Sequence, residues 1–342
     1  VSSPSVSVIV VNWNRHDLLR SCLLSLQQQT FKDFEIIVVD NGSTDGSLEL
    51  LRSAPYRQVQ IIANAENRGF CAANNQGIAA ARGQFIALLN NDAEAEPRWL
   101  EELAAAVAHE ASVGMAASKI LTWENRGVID KAGHLIYPDG QNRGRGTGEP
   151  DRGQYDQLEE AAWPDGCAAL YRHSMLLEIG GFDEDFFAYA DDAELGLRAR
   201  IAGWRCLYVP TAVVYHHTGS TLGRYSPERL FLIERNRLWL AAKLFPLSLL
   251  ILNPAYFALR VVASVWCGIA GKGELPRAAS RLGTWGLIKC LVKAQWAALA
   301  GLPAMLRKRR AMNAFRKLDA SETAALIRRF RIPLRELVAG RR

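Results

Sequence analysis

No cysteine pair of the C-x-x-C kind occurs in this sequence; Cys22, Cys71, Cys167, Cys206, Cys267 and Cys290 lie far apart. That scatter offers neither a zinc ribbon nor a disulfide framework, and it fits a reducing compartment. Glycine is missing where a dinucleotide-binding dehydrogenase needs it. The first β-branched run, Val6–Val11, leads into Asn12-Trp13-Asn14-Arg15 with no glycine in the turn. A G-x-x-x-x-G-K-[ST] stretch is also absent, which argues against P-loop chemistry. Nucleotide binding, if used, must rest on side chains more than on glycine nests. Val6–Val11 is too short for the apolar part of a leader, so a cytosolic or cytosol-facing protein is expected. The charge-free run Leu244–Leu259 holds 16 residues, broken by Pro246, Asn253 and Pro254. It falls short of the roughly 20 needed to span a bilayer. Internal repeats and low-complexity segments are lacking.

What is present is ordinary globular composition, 49% hydrophobic and 22% charged over 342 residues, enough for one large α/β domain and an appendage. The net charge of +6 is unevenly placed. From Pro303 onward 12 Lys or Arg face 3 Asp or Glu, a balance of +9 that leaves residues 1–302 at −3. A negative body argues against a nucleic-acid partner, and a basic tail suits an anionic lipid surface or simply a solvated helix end.

Strand and helix patterns alternate in the first part of the chain. Apolar strands are expected at Val6–Val11, Phe34–Asp40, Val59–Ala63 and Phe85–Leu89, each followed by a turn and a helical spacing. The alternation predicts a doubly wound, mostly parallel sheet. Beyond Gly114 it weakens, and residues 123–156, rich in Gly, Asp, Arg and Asn, read as long loops with short strands. Order returns at Ala162–Arg172 and Phe182–Arg198, with closing strands at Cys206–Val209 and Ala212–Tyr215. Composition shifts near Pro227. Residues 1–227 are therefore read as a catalytic domain and 228–342 as a helical, basic appendage. Its apolar stretches carry Trp239, Trp266, Trp285 and Trp296, followed by Arg307-Lys308-Arg309-Arg310, so it is expected either to lie on a membrane face or to form a buried helical subdomain.

Candidate chemistry gathers where strands end. Asp40 and Asp92 follow the second and fourth strands, so both carboxylates should reach the same carboxyl edge, where open α/β sheets bind ligands. Asp40 could accept hydrogen bonds from a ribose or base, or simply close its own turn. Asp92 is a hard oxygen ligand suited to Mg²⁺ or Mn²⁺ on a diphosphate, or a turn cap. Downstream, Asp191, Asp192 and Glu194 crowd one helix start. The helix dipole favours such carboxylates, and their mutual repulsion raises a pKa toward that of a general base. His216-His217 ends a strand and could complete a metal shell with Asp92.

Val11-Asn12-Trp13-Asn14, Val39–Ser47, Asn67-Arg68-Gly69-Phe70, Leu88–Asp92, Gly180-Gly181-Phe182-Asp183-Glu184 and Ala190–Arg198, in this order and spacing, resemble the family 2 glycosyltransferases. The resemblance covers residues 5–240 and implies a GT-A fold and an inverting, metal-dependent sugar transfer from a nucleotide-sugar donor. It places Asp40 at the nucleobase, with Asn12 and Asn14 at the neighbouring strand end and Asn67 and Gly69 lining the nucleotide. Asn90-Asn91-Asp92 stands at the family's DxD motif, whose last carboxylate binds the metal. Here the chain departs from the pattern, because Asn90 carries no charge and Asp92 holds more of the metal alone. Asp192 is implied as the base with Asp191 beside it, and His216 as the late metal ligand, with His217 adjacent. Trp163 and Asp165 fall in the loop beside the acceptor. Rhamnosyltransferases that use dTDP-L-rhamnose in bacterial surface polysaccharide synthesis are the nearest likeness, with UDP-hexose or UDP-galactofuranose as alternative donors. The implied acceptor is a glycan or lipid-linked hydroxyl, at the cytoplasmic face of the inner membrane. A nucleotidyltransferase would carry a Gly-rich basic loop after the first strand, which is missing. A non-catalytic membrane scaffold would not need Asp40, Asp92, Asp192 and His216 together.

Overall fold

In a computed structural model of the chain, residues 3–217, 226–271, 273 and 275–339 are described. The chain opens as strand and helix in turn: β1 (Val6–Asn12), α1 (His16–Gln27), β2 (Phe34–Asp40), α2 (Ser47–Arg52), β3 (Gln60–Ala63), α3 (Gly69–Ala80) and β4 (Phe85–Leu89). These four strands pair parallel in the order β3-β2-β1-β4. Their β-branched residues point alternately to two cores. Val8, Val10, Val38 and Ala87 face one side with Leu19, Leu23 and Trp99, while Ile9, Ile37, Val39 and Leu88 face the other with Cys71 and Leu195. Burial on both faces is why these runs lack a polar alternation.

The chain continues through β5 (Ala93–Ala95), α4 (Trp99–Ala108), β6 (Val113–Thr122), β7 (Ile129–Ala132), β8 (His134–Ile136), β9 (Asn142–Gly144), β10 (Glu159–Glu160), β11 (Ala168–Arg172), α5 (His173–Ile179), α6 (Asp191–Ile201) and β12 (Arg205–His216), with β8 and β9 pairing as a separate two-stranded sheet and the other strands extending the main one. β11 lies antiparallel between β4 and β6, and β12 runs parallel to β6. Two elements differ from the sequence expectation. β6, a ten-residue central strand, falls where the alternation of the sequence weakens, because Gly114, Ala116 and Ala117 are small and Lys119 breaks the apolar run. Lys119 is buried there because Asp151 and Asp156 each lie 2.6 Å from its ammonium. The two expected closing strands are one strand, β12, with its register on β6 shifted between Val209 and Val213.

After Pro227 the described residues are helical: α7 (Pro227–Leu244), α8 (Leu247–Ile269), α9 (Leu275–Ala311), α10 (Ala320–Arg329) and α11 (Leu334–Ala339). α8 is one helix of 23 residues running through Pro254, about 34 Å long. By length and composition it could cross a membrane, whereas the charge-free run alone could not. Its Arg260, however, donates to Asp139 Oδ2 at 2.6 Å and to Glu234 at 3.0 Å, and Asn253 is buried. One face of α8 is thus committed to protein. Trp239, grouped by sequence with the membrane-facing tryptophans, is buried and donates from Nε1 to Ala298 O at 3.0 Å. Trp266, Trp285 and Trp296 are each at least 70% exposed. The basic tail is partly spent inside the molecule. Lys308 pairs with Asp183 and Asp185, Arg309 donates to Phe245 O at 2.6 Å, and Arg329 lies 2.7 Å from Glu160. A body of −3 and a tail of +9 attract each other before any lipid is involved.

Candidate functional site

Parallel register sets Asn12 beside Asp40 at the ends of β1 and β2, and the residues after β4 arrive alongside. Side chains then link the three strand ends. Asn12 Nδ2 donates to Asp40 Oδ2 at 3.1 Å, and Asn91 Nδ2 donates to Asn12 Oδ1 at 2.7 Å. All three are buried. Asp40 Oδ1 accepts from Ser43 N at 2.9 Å, so the Asx-type closure expected of a plain turn coexists with the strand-end network. Asn14, at φ 50°, accepts from Thr44 N at 2.8 Å and pins the same turn. Asn67 Oδ1 accepts from Gly69 N at 2.9 Å and from Asn41 Nδ2 at 3.0 Å. Asn41, which sequence reasoning left out, is the buried hub of this edge. Its Oδ1 accepts from Asn64 Nδ2 and Arg68 N, and its Nδ2 reaches Gly69 O. Gly69 sits at φ +85°, and a Cβ there would fall inside the Phe187 ring. Asn90, half-buried, donates its backbone N–H to Cys167 O at 2.8 Å.

At the metal end, β5 pairs with β12 so that His216 stands opposite Ala93, next to Asp92. His216 Nδ1 lies 2.9 Å from Asp130 Oδ2, which turns Nε2 toward Asp92 Oδ1 at 3.4 Å. Neighbouring ligands of an octahedral Mg²⁺ or Mn²⁺ stand about 3 Å apart, and a carboxylate behind the imidazole is the usual support of a ligating histidine. The donor set therefore fits a hard divalent cation. Burial would favour neutral His216, but Cys167, Asp130 and Asp92 hold its pKa well above the ordinary value. The spot is one that attracts positive charge. His217 faces elsewhere: its ring stacks on Trp123 at 4.3 Å, with Nε2 3.7 Å from Glu94.

Asp191 and Asp192 open α6. Burial, then the neighbouring Asp192, pushes Asp191 well above the usual carboxylate range. Burial also raises Asp192, against the opposing pull of His134 and Lys131. Asp192 Oδ1 accepts from Ala193 N at 2.7 Å. The loop before α6 is held in an unusual shape, with Phe187, Tyr189 and Ala190 at φ 65°, 67° and 57°. Asn236 of α7 donates to the carbonyls of Phe186, Ala188 and Tyr189 at 2.9, 2.9 and 2.7 Å. Phe187 O accepts from Phe70 N at the start of α3.

Trp163, in the loop expected beside the acceptor, is 1% exposed, packs on Gly196 and stacks near His134, so its ring lies inside the protein. Asp165 is engaged by Lys131 and His134, each at 2.8 Å. Burial alone would raise its pKa, but Lys131 and His134 hold it well below the usual range. His134, Asp165 and Asp192 offer ligand atoms within 4.8 Å of one another, yet the Lys131 ammonium already supplies the cation there. Asp130, Lys131 and His134, all missed from sequence, come from the segment read as loops. Ile129-Asp130-Lys131-Ala132 carries no period-2 alternation, so no local signal marked this strand.

Comparison with known proteins was made against this geometry. The family model described as Glycosyl transferase family 2 matches residues 7–179. An uncharacterized protein of Sinorhizobium fredii is 30% identical over 244 residues, which are 66% of this chain and 26% of that protein. The chain thus spans about a quarter of that relative's length. The N-acetylglucosaminyl-diphospho-decaprenol L-rhamnosyltransferase of Mycobacterium tuberculosis is 26% identical over 276 residues, 69% of this chain and 87% of that protein. Among solved structures, a mannosyltransferase of Pyrobaculum calidifontis in complex with GDP-Man and Mn²⁺ superposes with a TM-score of 0.51 at 20% identity, covering 95% of this chain and 86% of that one. The likeness establishes a GT-A-like architecture with C-terminal helices.

Proposed function

The chain belongs to glycosyl transferase family 2, and on that premise we propose that it is an inverting, metal-dependent enzyme moving L-rhamnose from dTDP-L-rhamnose onto a hydroxyl of a lipid-linked glycan. The observation that carries this reading is the convergence at one sheet edge of Asp40, Asn12, Asn91 and Asp92, with His216 Nε2 turned to Asp92. The rhamnosyl donor and the lipid-linked acceptor are supported by the name of the mycobacterial relative.

In this reading Asp40 and Asn12 hold the nucleoside, with Asn14, Asn67 and Gly69 shaping its walls. Asp92 and His216 hold a divalent cation, and Asp130 orients His216. Such an ion neutralises charge on a departing diphosphate. Asp192 takes the proton of the acceptor hydroxyl. The freed oxygen attacks the anomeric carbon, the carbon–oxygen bond to the diphosphate breaks, and configuration inverts. Asn91 is spent on Asn12, so Asn90 is the uncharged donor contact of that triplet. Residues 1–227 are the catalytic region and 228–342 its helical companion.

A panel of dTDP-, UDP- and GDP-sugars with Mg²⁺ or Mn²⁺ tests the assignment. The dTDP-L-rhamnose arm should raise the unfolding temperature most, and only with metal present. Asp92→Ala should abolish the metal-dependent part of that protection. Protection by another sugar nucleotide would redirect the donor, and unaltered metal dependence in Asp92→Ala would remove Asp92 as the ligand.

The appendage is placed on the cytoplasmic face of the inner membrane. Trp266, Ile251, Val262 and Ile269 of α8 and Trp285, Val292 and Trp296 of α9 are exposed apolar residues on helices flanked by Arg and Lys. Because Arg260 is tied to Asp139 and Glu234, α8 is read as lying in the interface and not across it. Fully burying a large apolar side chain contributes about 1.5–3 kcal/mol. Replacing Trp266, Trp285 and Trp296 by Ser should therefore weaken co-sedimentation with phosphatidylglycerol vesicles by about tenfold or more. A wild-type protein that stays in the supernatant with such vesicles at low salt would overturn this placement.

A further inference from the structure

His134 has no part in the proposed mechanism, yet it stands between Asp165 and the base Asp192. Its ring is 6% exposed and lies 6.1 Å from that of Trp163, with 21° between the planes. Nε2 is 2.8 Å from Asp165 Oδ2 and 3.5 Å from Asp192 Oδ2. One N–H cannot bond both equally, so the shorter contact is the hydrogen bond and the longer one is Coulombic.

The surroundings decide which charge the ring carries. β7 contributes Lys131, the loop before β11 contributes Asp165, and α6 contributes Asp191 and Asp192. The Tyr171 phenol of β11 is buried nearby, its own pKa pushed well above the ordinary value by burial and then by Asp192. Asp165 and Asp130 thus stand 2.8 and 3.7 Å from the Lys131 ammonium, and Asp165 and Asp192 face the imidazole. Burial would favour the neutral ring, but Asp192 and Asp165 outweigh it and raise the pKa of His134. Glu194 of the same helix turns away to Arg198 and Lys243.

We infer that His134, clamped by Asp165, is the positioning residue of Asp192, fixing its carboxylate and favouring the ionised form that can accept a proton. The inference rests on the reading of Asp192 as the base. Asp165 is then the anchor of a carboxylate–imidazolium–carboxylate chain, Asp165 to His134 to Asp192, and not a contact for the acceptor. Gly166 adjoins the same point: a Cβ there would lie 3.3 Å from the Phe70 ring and 3.9 Å from Asp192 Cβ.

The test is the pH dependence of kcat at saturating donor in His134→Gln. A neighbouring cation lowers a carboxylate pKa by about one unit or more. Its loss should therefore move the acidic limb up by about one pH unit, with kcat depressed at neutral pH and regained in alkali. Donor protection against thermal unfolding should stay at the wild-type level. A limb that does not move, whether kcat is unchanged or lowered evenly at all pH values, would overturn the inference. Should His134→Gln fail to fold, the ring ¹⁵N titration of His134 in Asp192→Asn decides instead. Its midpoint should fall when the Asp192 charge is removed, and an unshifted midpoint counts against the pair. The failure of the underlying reading looks different, since it would show as full transfer activity in Asp192→Asn.

Discussion

Asp192→Asn should lower kcat by about 10²–10⁴-fold while the donor still protects the protein against unfolding. That range is what a positioned general base contributes. The substitution is nearly isosteric and keeps an oxygen for the hydrogen bond from Ala193 N, so the start of α6 is not disturbed. What it removes is the proton acceptor. The same change should leave the fold as stable as before or more so at neutral pH. Burial raises the pKa of Asp192 above its unfolded value. A carboxylate with a raised folded pKa binds protons more tightly when folded, so stability falls as pH rises from the unfolded pKa through the folded one. Above that window the ionised group is a standing cost, and the amide does not incur it. His134 loses its counter-charge in exchange, which limits the gain. An inactive but well-folded Asp192→Asn, measured by transfer rate and by thermal unfolding at pH 5 and pH 8, is the expected pair of results. Full transfer activity would remove Asp192 from the base role.

Much of the first sheet could be read from the sequence because its information is local. Val6–Val11, Phe34–Val39 and Phe85–Leu89 are apolar on both faces, each ends in a polar turn, and parallel register alone then brings Asp40, Asn12 and Asp92 to one edge. The second half was harder to read because its strands carry charges neutralised by distant partners. Lys119 in β6 makes sense only with Asp151 and Asp156 folded over it. Asp130, Lys131 and His134 look like loop residues until His216, Asp165 and Asp192 are placed around them. The burial of Trp163 is non-local in the same way, because nothing near it in sequence says that Gly196 of α6 leaves room for its ring inside.

The appendage shows the same limit on a larger scale. Its composition suggests a membrane-facing unit, and α8 and α9 keep that character on their outer faces. Their inner faces are held by ion pairs that no pattern of hydropathy reveals. Arg260 meets Asp139 and Glu234, and burial of Glu234 is offset by Arg260 and Arg237 strongly enough to pull its pKa down to about 2. On the opposite side Asp183, in the Gly-Gly-Phe-Asp segment, is bracketed by Lys243 of α7 and Lys308 of α9. The helices are therefore fastened to the segment that leads into the base.

The strongest consequence of that fastening is expected at Asn236. Its single amide group faces three carbonyls, Phe186, Ala188 and Tyr189, and with only two hydrogens it must share them. The loop it holds contains three non-glycine residues at positive φ, a conformation that costs about 1–3 kcal/mol per residue and lasts only where the surroundings enforce it. Asn236→Leu keeps the volume and removes the donors. Buried carbonyls left without partners cost about 1–3 kcal/mol each. With Arg235 still donating to Phe186 O at 3.1 Å, a net destabilisation of about 2–4 kcal/mol is expected in denaturant unfolding. The loop then relaxes toward ordinary φ values and carries Asp192 with it, and a displacement of about 1 Å at a reacting group costs about 10²-fold in rate. Metal-dependent protection should persist, because neither Asp40 nor Asp92 is hydrogen-bonded to this loop in the contacts described above. Donor affinity should fall modestly, because Phe187 of the loop packs on Gly69 and accepts from Phe70 N. Hence kcat should fall about 10²-fold, a much larger effect than the accompanying rise in donor KM. A chain ending at residue 227, which keeps every motif of the catalytic region but lacks Asn236, should be at least as impaired. Wild-type kcat in Asn236→Leu would mean that α7 is a passive neighbour of the base and that the strained loop holds its shape without it.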